Sequence, residues 1–198
     1  MKALVTGGAG YVGSHMVRAL LDAGHEVVVL DDLSTGHRDA VPPEASFVHG
    51  SIEGARAALD GVDAVLHFAA KIRVEESVSA PRLYWEGNVV ATLALLGAVL
   101  EAKVPIVFSS TAAVYGTPDS VPIDEDHPKR PVNPYGETKL AIERALAAYG
   151  EAYGLRWMAL RYFNAAGAHA DAGLGERHDP ETHLVPIVLD VALGKRPH

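Results

Sequence analysis

Short apolar runs alternate with longer amphipathic segments along the chain. The apolar runs predict six β-strands, at residues 2–6, 26–30, 46–48, 64–68, 106–109 and 157–160. Several are apolar at consecutive positions, as is typical of strands buried between two layers of helices. The segments between them predict helices at residues 11–23, 82–102 and 134–153, and a shorter one at 53–59. This alternation predicts an α/β domain, with a parallel sheet and helices on both faces.

Two loop-rich stretches follow predicted strands, at residues 117–133 and 165–182. Long loops in a compact α/β domain are more often functional than idle. They are expected at the sheet edge formed by the carboxyl ends of the strands, where such sheets bind ligands. We therefore expect both stretches to lie near a ligand site.

Composition narrows the class of protein. Hydrophobic residues make up 48% of the 198 residues, which predicts a sizeable core, and the absence of cysteine excludes disulfides and thiolate metal sites. A formal charge of −8 without a basic stripe argues against a nucleic-acid partner. The longest apolar run, residues 89–100, is too short to span a bilayer, and the N-terminus lacks a signal-peptide pattern. We expect a cytoplasmic protein with no membrane partner.

A glycine-rich turn follows the first predicted strand, in the sequence TGGAGYVGSH. Residues 8–13 fit G-x-G-x-x-G, whose glycines allow a tight turn, close approach of backbone to a pyrophosphate, and close packing of the next helix. Asp31 ends the second strand, 21 positions after Gly10. A carboxylate there accepts hydrogen bonds from an adenosine ribose and repels a 2′-phosphate. The pattern favours NAD over NADP; a tight turn without a ligand is the alternative.

The sequence NPYGETK begins the last long helix. Asn133 can cap this helix, and Pro134 suits its first position. Tyr135 and Lys139, four positions apart, then lie on one face. A nearby ammonium and an oxidised nicotinamide would favour the phenolate, so we expect the pKa of Tyr135 to be lowered from about 10. The spacing alone is also met by a half-buried tyrosine beside a solvated lysine.

Four motifs occur in the order of a known family: TGGAGYVGSH, SSTAAVYG, NPYGETK and LRYFNAAG. In this combination the sequence resembles the extended short-chain dehydrogenase/reductase family, and within it the UDP-glucose 4-epimerases, along essentially the whole chain. The resemblance implies a Rossmann-type doubly wound sheet, tightly held NAD, a UDP-sugar substrate and a homodimer. It also implies 4-epimerisation of a UDP-hexose through a transient 4-keto intermediate, with the C4 hydride passing to NAD and returning to the opposite face.

The resemblance assigns catalytic and cofactor roles residue by residue. It makes Tyr135 the proton acceptor, Lys139 its cationic partner, and Thr111 a hydrogen-bonding partner of the sugar 4-oxygen. Thr111 could instead cap the end of its strand, and Asn88 and the aromatic positions could be packing. The implied cofactor contacts, besides Tyr135 and Lys139, are Gly7, Gly10, Tyr11, Val12, Gly13, Asp31, Asp32, Leu33, Ser34, Ser51, Ile52, Phe68, Ala69, Ala70, Lys71, Asn88, Ser109 and Phe163.

The substrate side is assigned in the same way. Thr111 and Tyr135 are expected to contact the sugar, Asn164 the nucleotide-sugar phosphates, and His183 with Leu184 the uridine nucleotide. The chain stops at position 198, where family members continue into segments that complete the sugar-nucleotide pocket. We therefore expect residues 1–164 to form the NAD-binding domain and residues 165–198 to begin an incomplete substrate-binding region.

Some positions depart from the family pattern. Ser51 stands where the family usually has an aspartate near the adenine, which weakens but does not remove the expected hydrogen bonding. After the fourth strand both Lys71 and Arg73 are candidates for the cation that faces the site. The ten histidines show no metal-motif spacing, so we expect no metal site.

The residues also bear on other functions. A nucleotide-sugar dehydratase must expel a 6-hydroxyl, which needs an acid and a base at the site. The resembled family supplies an Asp-Glu pair directly after the catalytic threonine, whereas Ala112 and Ala113 occupy those positions here and cannot transfer protons. An epimerase or decarboxylase acting on another nucleotide sugar stays possible, as does a non-catalytic NAD-binding domain. The homodimer is expected to form through the helices at 82–102 and 134–153. Leu93, Leu96 and Leu100 would face the partner, unless they face the chain's own sheet.

Overall fold

The computed structural model describes residues 1–178, 181 and 183–197, and its centre is a sheet of six parallel strands. Every predicted strand is confirmed from its first residue, and the ends differ by at most two positions. Strands β5 and β6 each extend two positions beyond their predicted ends, into the SSTAAVYG and LRYFNAAG motifs. The strands are β1 (Lys2–Thr6), β2 (Glu26–Asp31), β3 (Ser46–His49), β4 (Ala64–His67), β5 (Ile106–Thr111) and β6 (Trp157–Tyr162).

The order of the strands is β3-β2-β1-β4-β5-β6. Successive strands move outwards from β1 to β3, and then outwards on the other side from β4 to β6. The direction therefore reverses between β1 and β4, whose ends Thr6 and His67 lie side by side. A crevice opens outside the carboxyl ends of the strands at such a switch point, and ligands of doubly wound proteins bind there. The predicted Rossmann-type sheet is confirmed.

The helices confirm most of the predicted segments. The α-helices are α1 (Tyr11–Asp22), α2 (Val74–Ser79), α3 (Pro81–Tyr84), α4 (Ala91–Ala102), α5 (Pro134–Tyr153) and α6 (Leu184–Ala192). The segment predicted at 82–102 runs continuously from α3 to α4 through a π-helical turn, Trp85–Val90. The one predicted at 53–59 is a 3-10 helix, Ile52–Leu59, rather than an α-helix. Two further 3-10 helices are Arg38–Ala40 and Ala112–Val114.

Two apolar layers cover the sheet, because successive side chains of a strand point to opposite faces. Ala3 and Val5 of β1 pack in the layer that contains Val17 of α1. Leu4, between them, packs in the other layer, with the 3-10 helix Ile52–Leu59, α4 and α5. The nearly continuous apolar sequence of β1 follows from this coverage on both faces.

The continuous helix Pro81–Ala102 has a mean hydropathy of 1.5 over 18 residues, so length and composition alone would allow it to cross a membrane. The apolar run at residues 89–100 is only part of this helix, which begins at Pro81 and ends at Ala102. One such helix is weak evidence for a span, since core helices pass the same test. Leu95, Leu96 and Val99 of this helix are fully buried in the core.

The predicted leucine stripe on this helix does not face a partner as a unit. Leu96 is fully buried in the core and Leu100 packs against it. Leu93 is 37% exposed. The prediction that all three face a second subunit is therefore wrong for Leu96 and Leu100, which pack on the chain's own sheet.

Candidate active site

The glycine-rich turn links β1 to α1 at the switch point of the sheet. Gly7 has a φ of +70°, and a Cβ on it would lie 2.5 Å from the Ala69 nitrogen in the loop after β4. A Cβ on Gly13 would lie 2.1 Å from the Gly7 carbonyl oxygen. Gly10 caps α1 and has no side chain to satisfy the first helical N–H groups, which leaves them able to bind an anion. Close backbone packing therefore requires glycine at Gly7 and Gly13.

Asp31 ends β2 beside this turn. One carboxylate oxygen accepts a hydrogen bond from the Ala9 N–H at 2.9 Å, and the other accepts from the Leu33 N–H at 2.8 Å. Asp32 accepts from the Ser34 N–H at 2.9 Å. The structure thus places the acid next to the turn, as the sequence predicted, and uses it to brace the turn. About half of the acceptor positions of a carboxylate stay available after two such bonds.

The loop after β4, which contains Phe68, Ala69, Ala70 and Lys71, is held from behind by Asn88. The Asn88 side chain accepts from the Lys71 N–H at 2.8 Å and donates to the Lys71 carbonyl at 3.0 Å. It also donates to the Thr138 hydroxyl at 3.3 Å, and it is 1% exposed. Asn88 therefore positions the loop, and its expected contact with a cofactor stays a prediction.

The cations after β4 are distinguished by their neighbours. Burial raises the pKa of the Asp32 carboxyl, but hydrogen bonds from Ser34 and the nearby charge of Lys71 outweigh it and lower the pKa. Arg73 lies one position before α2, at its N-cap. Lys71 is thus the cation nearer the β2 side of the crevice.

Tyr135 and Lys139 lie on the same face of α5, as their spacing predicted. Asn133 caps α5 by accepting from the Gly136 N–H at 2.8 Å. The Lys139 Nζ lies 5.9 Å from the centroid of the Tyr135 ring. It donates to the Ser109 carbonyl at 2.9 Å, and the residue is 2% exposed. The alternative of a solvated lysine is therefore wrong.

Burial sets the pKa of Tyr135 in the protein without a cofactor. Burial raises the pKa of Tyr135 above 10, and a hydrogen bond with Thr111 opposes this without reversing it. Burial also lowers the pKa of Lys139 to about 7. Desolvation therefore dominates both groups. The lowered pKa that is expected beside an oxidised nicotinamide stays a prediction.

Thr111 takes the capping role considered for it, and its contact with the sugar 4-oxygen stays a prediction. Its Oγ1 accepts from the Ala113 N–H at 3.1 Å and so caps the 3-10 helix Ala112–Val114. The same hydroxyl lies close enough to Tyr135 to oppose the rise in its pKa that burial causes. Two positions before Thr111 on β5, the Ser109 hydroxyl is hydrogen bonded to the Tyr162 hydroxyl. Tyr162 is a site residue that the sequence analysis missed; its position in the LRYFN motif was the available signal.

A buried polar network behind the site was also missed. Glu143 of α5 accepts from the Ser110 hydroxyl of β5 and makes a bidentate ion pair with Arg161 of β6, at 2.8 and 2.7 Å. The Arg161 guanidinium donates to the Tyr115 hydroxyl at 2.8 Å. Glu143 lies four positions after Lys139, on the same face of α5, which was the signal for it. The network ties α5 to β5 and β6, and so positions Tyr135 and Lys139.

His67 supports the site from the core. Its two ring nitrogens are hydrogen bonded to the hydroxyls of Thr6, at 2.7 Å, and Thr92, at 2.9 Å. Burial, together with the charge of Lys139, lowers the pKa of His67 to about 3. A neutral histidine therefore joins β1, β4 and α4 directly beneath the crevice.

The remaining predicted residues lie around the rim. Phe163 is 66% exposed, and Asn164 follows it at the end of β6. His183 caps α6, which begins at Leu184. Ser51 caps the 3-10 helix Ile52–Leu59 and donates to Glu53 at 3.4 Å. The predicted loop at 165–182 is described except for residues 179, 180 and 182, which lie outside the described residues together with 198.

A family model described as the NAD dependent epimerase/dehydratase family matches residues 3–197. The UDP-glucose 4-epimerase of Halalkalibacterium halodurans is 53% identical over 99% of this chain and 60% of its own length. The enzyme of the same name from Lactobacillus helveticus is 50% identical over 98% of this chain and 61% of its own length. The chain therefore spans about 60% of the length of the curated relatives it matches.

Solved structures agree with these sequences. The UDP-glucose 4-epimerase of Brucella ovis in complex with NAD superposes with a TM-score of 0.93 and 47% identity, over 98% of this chain and 62% of that one. The enzyme of Stenotrophomonas maltophila, with NAD and formylated UDP-arabinopyranose, gives 0.94 and 41%, over 100% and 63%. The residues around the crevice thus occur in a fold shared with proteins that bind NAD and UDP-sugars.

Proposed function

Since the chain belongs to the NAD-dependent epimerase/dehydratase family, we propose that it provides the cofactor-binding and catalytic part of a UDP-glucose 4-epimerase. The observation that carries the proposal is the position of Tyr135 and Lys139 on one face of α5, with Thr111 close enough to the phenol to influence its pKa. These groups lie at the carboxyl ends of the strands, on the same side as the glycine-rich turn. A phenol, a hydroxyl and an ammonium suit deprotonation of a sugar hydroxyl.

We propose that NAD lies across the crevice. The close packing of Gly7 against Ala69, and of Gly13 against Gly7, leaves backbone rather than side chains at the turn, and this fits a pyrophosphate. The free acceptor positions of Asp31 suit ribose hydroxyls and disfavour a 2′-phosphate. Ser51 and Ile52 would border the adenine, and the exposed Phe163 would border the nicotinamide. NAD, when bound, supplies an acceptor for the C4 hydride and returns it.

The chain's own residues handle the proton. Tyr135 accepts the proton of the sugar 4-hydroxyl, and the Thr111 hydroxyl donates to the 4-oxygen as that oxygen gains negative charge. Burial keeps the phenol protonated in the protein alone. A cation brought in with the cofactor would favour the phenolate and bring Tyr135 to its basic form. Lys139, held by the Ser109 carbonyl, places its nitrogen beside the tyrosine ring.

The substrate is proposed to be a UDP-hexose. Ala112 and Ala113, which form the turn after Thr111, offer neither an acid nor a base, so elimination of a 6-hydroxyl is disfavoured. Asn164, His183 and Leu184 would contact the UDP moiety, with residues 1–164 as the NAD-binding domain and residues 165–198 as the start of the substrate-binding region.

The proposed enzyme is a cytoplasmic homodimer. On the outer side of the helix Pro81–Ala102, four large apolar side chains are exposed, and a second copy packed there would cover them. They are Leu83, Trp85, Val90 and Leu93. A non-catalytic NAD-binding domain is the second candidate, because the chain spans about 60% of its relatives.

The test compares Tyr135→Phe with the matched control Tyr153→Phe, an exposed tyrosine on the same helix. After loading with NAD, UDP-galactose is added, and the absorbance of reduced nicotinamide and the formation of UDP-glucose are followed. Tyr135→Phe should retain NAD and lose about 10²–10⁴-fold in rate, because the proton acceptor is gone. Tyr153→Phe should match the parent, and Thr111→Val should be slowed less than Tyr135→Phe.

Three results would change the proposal. Unchanged turnover by Tyr135→Phe would remove the base. NAD binding without either reaction in the parent chain would favour the non-catalytic domain. We expect the 198-residue chain to bind NAD and to turn over UDP-galactose poorly; full activity would mean that its substrate contacts lie elsewhere.

A further inference from the structure

Four side chains of metal-ligand type converge just before α6. Glu176, His178, Glu181 and His183 each offer one ligand atom, and these atoms all lie within 4.8 Å of one another. All four side chains are half-buried. Their spacing matches none of the metal motifs considered in the sequence, so the expectation of no metal site rested on spacing alone. The fold of the segment brings the four groups together.

The distances suit one small cation. His183 Nδ1 lies 2.9 Å from Glu176 Oε1 and 3.0 Å from Glu181 Oε1. His178 Nδ1 lies 3.2 Å from Glu176 Oε1 and 4.0 Å from Glu181 Oε2. Tetrahedral ligands at about 2.0 Å from a zinc ion are roughly 3.3 Å apart. Three of these nitrogen–oxygen separations lie within a few tenths of an ångström of that edge length. The ligand atoms lie within 4.8 Å of one another, so the most distant of them would have to move closer to complete a tetrahedron.

Charge and donor type select the class of ion. Two carboxylates and two neutral imidazoles carry a charge of about −2, which a divalent cation neutralises. Two nitrogen and two oxygen donors suit zinc and neighbouring transition metals, whereas magnesium and calcium prefer oxygen alone. We propose that Glu176, His178, Glu181 and His183 form a binding site for one divalent transition-metal ion of the Zn²⁺ class.

The site would act as a structural clip. Four protein ligands complete a tetrahedral shell, which is typical of structural rather than catalytic zinc. Arg177, between two of the ligands, pairs with Asp39 at 2.6 Å, and its carbonyl is hydrogen bonded to His37 at 3.0 Å. The ion would thus join the segment that reaches the β2 side of the crevice to the residue that caps α6, His183.

The glycine-rich turn also lies close to the proposed site. The Tyr11 hydroxyl donates to the Gly167 carbonyl at 2.6 Å, which joins the turn to the segment that carries the four side chains. The ion would therefore stabilise the segment that borders the proposed cofactor site. It takes no part in the proton transfer assigned to Tyr135. It would occupy the His183 side chain that is also proposed to contact the uridine nucleotide, so the ion and the nucleotide would compete for that side chain.

Hydrogen bonds between the two histidines and the two glutamates could hold this cluster together without a metal ion. The two imidazole rings lie 4.6 Å apart between centroids, and a histidine in its charged form would pair with either carboxylate. In that alternative the cluster would show no stoichiometric affinity for a transition metal. A direct measurement of metal binding therefore distinguishes a metal site from a hydrogen-bonded cluster.

The experiment uses the 198-residue chain without an affinity tag, freed of metal with a chelator and kept free of NAD and sugars. Zn²⁺ is titrated by calorimetry, and Co²⁺ is added to record the visible absorption of four-coordinate cobalt–histidine sites. We expect one ion per chain, with tetrahedral cobalt absorption. Glu176→Gln and His178→Ala should each weaken Zn²⁺ binding by at least about 10-fold. Loss of a group that only hydrogen-bonds a metal ligand already lowers metal affinity by about that factor, and these substitutions remove a ligand itself.

His25→Ala is the matched control, because His25 precedes β2 at the opposite edge of the sheet. It should bind Zn²⁺ like the parent, and circular dichroism without metal should show that all variants are folded. The absence of stoichiometric Zn²⁺ binding by the parent would overturn the proposal. Equal binding by the parent and the Glu176→Gln/His178→Ala double variant would overturn it too, by placing the ion elsewhere among the histidines.

Discussion

The crevice built by residues 1–164 and the segment that follows it are held in different ways. Helix α5, which carries Tyr135 and Lys139, buries seven of its residues, whereas α6 buries none. Among the described residues after 164, Leu174 alone is buried. That segment meets the body through surface bonds, such as those of Tyr11 and Asp39. The groups proposed for chemistry thus lie in the densely packed part, and those proposed for the uridine nucleotide lie in the exposed part.

The largest expected difference is in stability, between breaking an ion pair in the packed crevice and breaking one in the exposed segment. Glu143→Gln leaves the partly buried Arg161 without its carboxylate and should lower the free energy of unfolding by about 3–5 kcal/mol. Asp39→Asn removes the partner of Arg177 at the surface, where water and salt screen the pair, and should change stability little. Urea denaturation of both variants measures the contrast. Equal effects would show that burial does not separate the two regions.

Two glycine substitutions sharpen the comparison at the level of backbone packing. Gly13→Ala places a Cβ 2.1 Å from the Gly7 carbonyl oxygen, so α1 must move away from the turn. We expect a loss of about 1–3 kcal/mol and weaker NAD binding. Gly175→Ala, in the exposed segment, places its Cβ 3.6 Å from that of Ala168, which is an ordinary contact, and should be nearly neutral. Thermal unfolding and NAD titration test the pair; a neutral Gly13→Ala would contradict the packing argument.

The third prediction is that the buried Lys139 lowers the stability of the folded protein. Lys139 is buried with a pKa lowered to about 7, so its charged form is unfavourable in the folded protein. Lys139→Met should remove activity and raise stability at pH 7 by on the order of 1 kcal/mol. Lys195→Met, on an exposed lysine after α6, should leave stability unchanged.

The stability gained by Lys139→Met should depend on pH. Below pH 7 the lysine is charged in both the folded and unfolded states, and the cost of burying the charge is fully present. Between pH 7 and about 10.4 the unfolded chain still binds the proton that the folded protein has released, so the stability of the parent rises with pH. The advantage of Lys139→Met should therefore shrink across this range. An advantage that is constant with pH would mean that packing, rather than charge, is its cause.

Local sequence was sufficient for the elements and for the outline of the site. The apolar runs predicted the first residue of every strand, because strands covered on both faces require such runs. The turn at Gly7–Gly13 and the spacing of Tyr135 and Lys139 were predictable, because both are set by backbone geometry over a few residues. The strand order then brought Thr111 and Asp31 to the same edge as that turn.

Tertiary structure decided what depends on burial and on distant partners. The sequence showed a lysine near a tyrosine, but only packing determined that desolvation raises the pKa of Tyr135. Asn88 turned out to hold a loop, and Glu143 to pair with Arg161 from another strand, because their partners are remote in sequence. The convergence of Glu176 with His183 depends on the path of a loop rather than on a helical period. Periodicity and short motifs encode local geometry, whereas the water lost around a side chain is known only once the whole chain has folded.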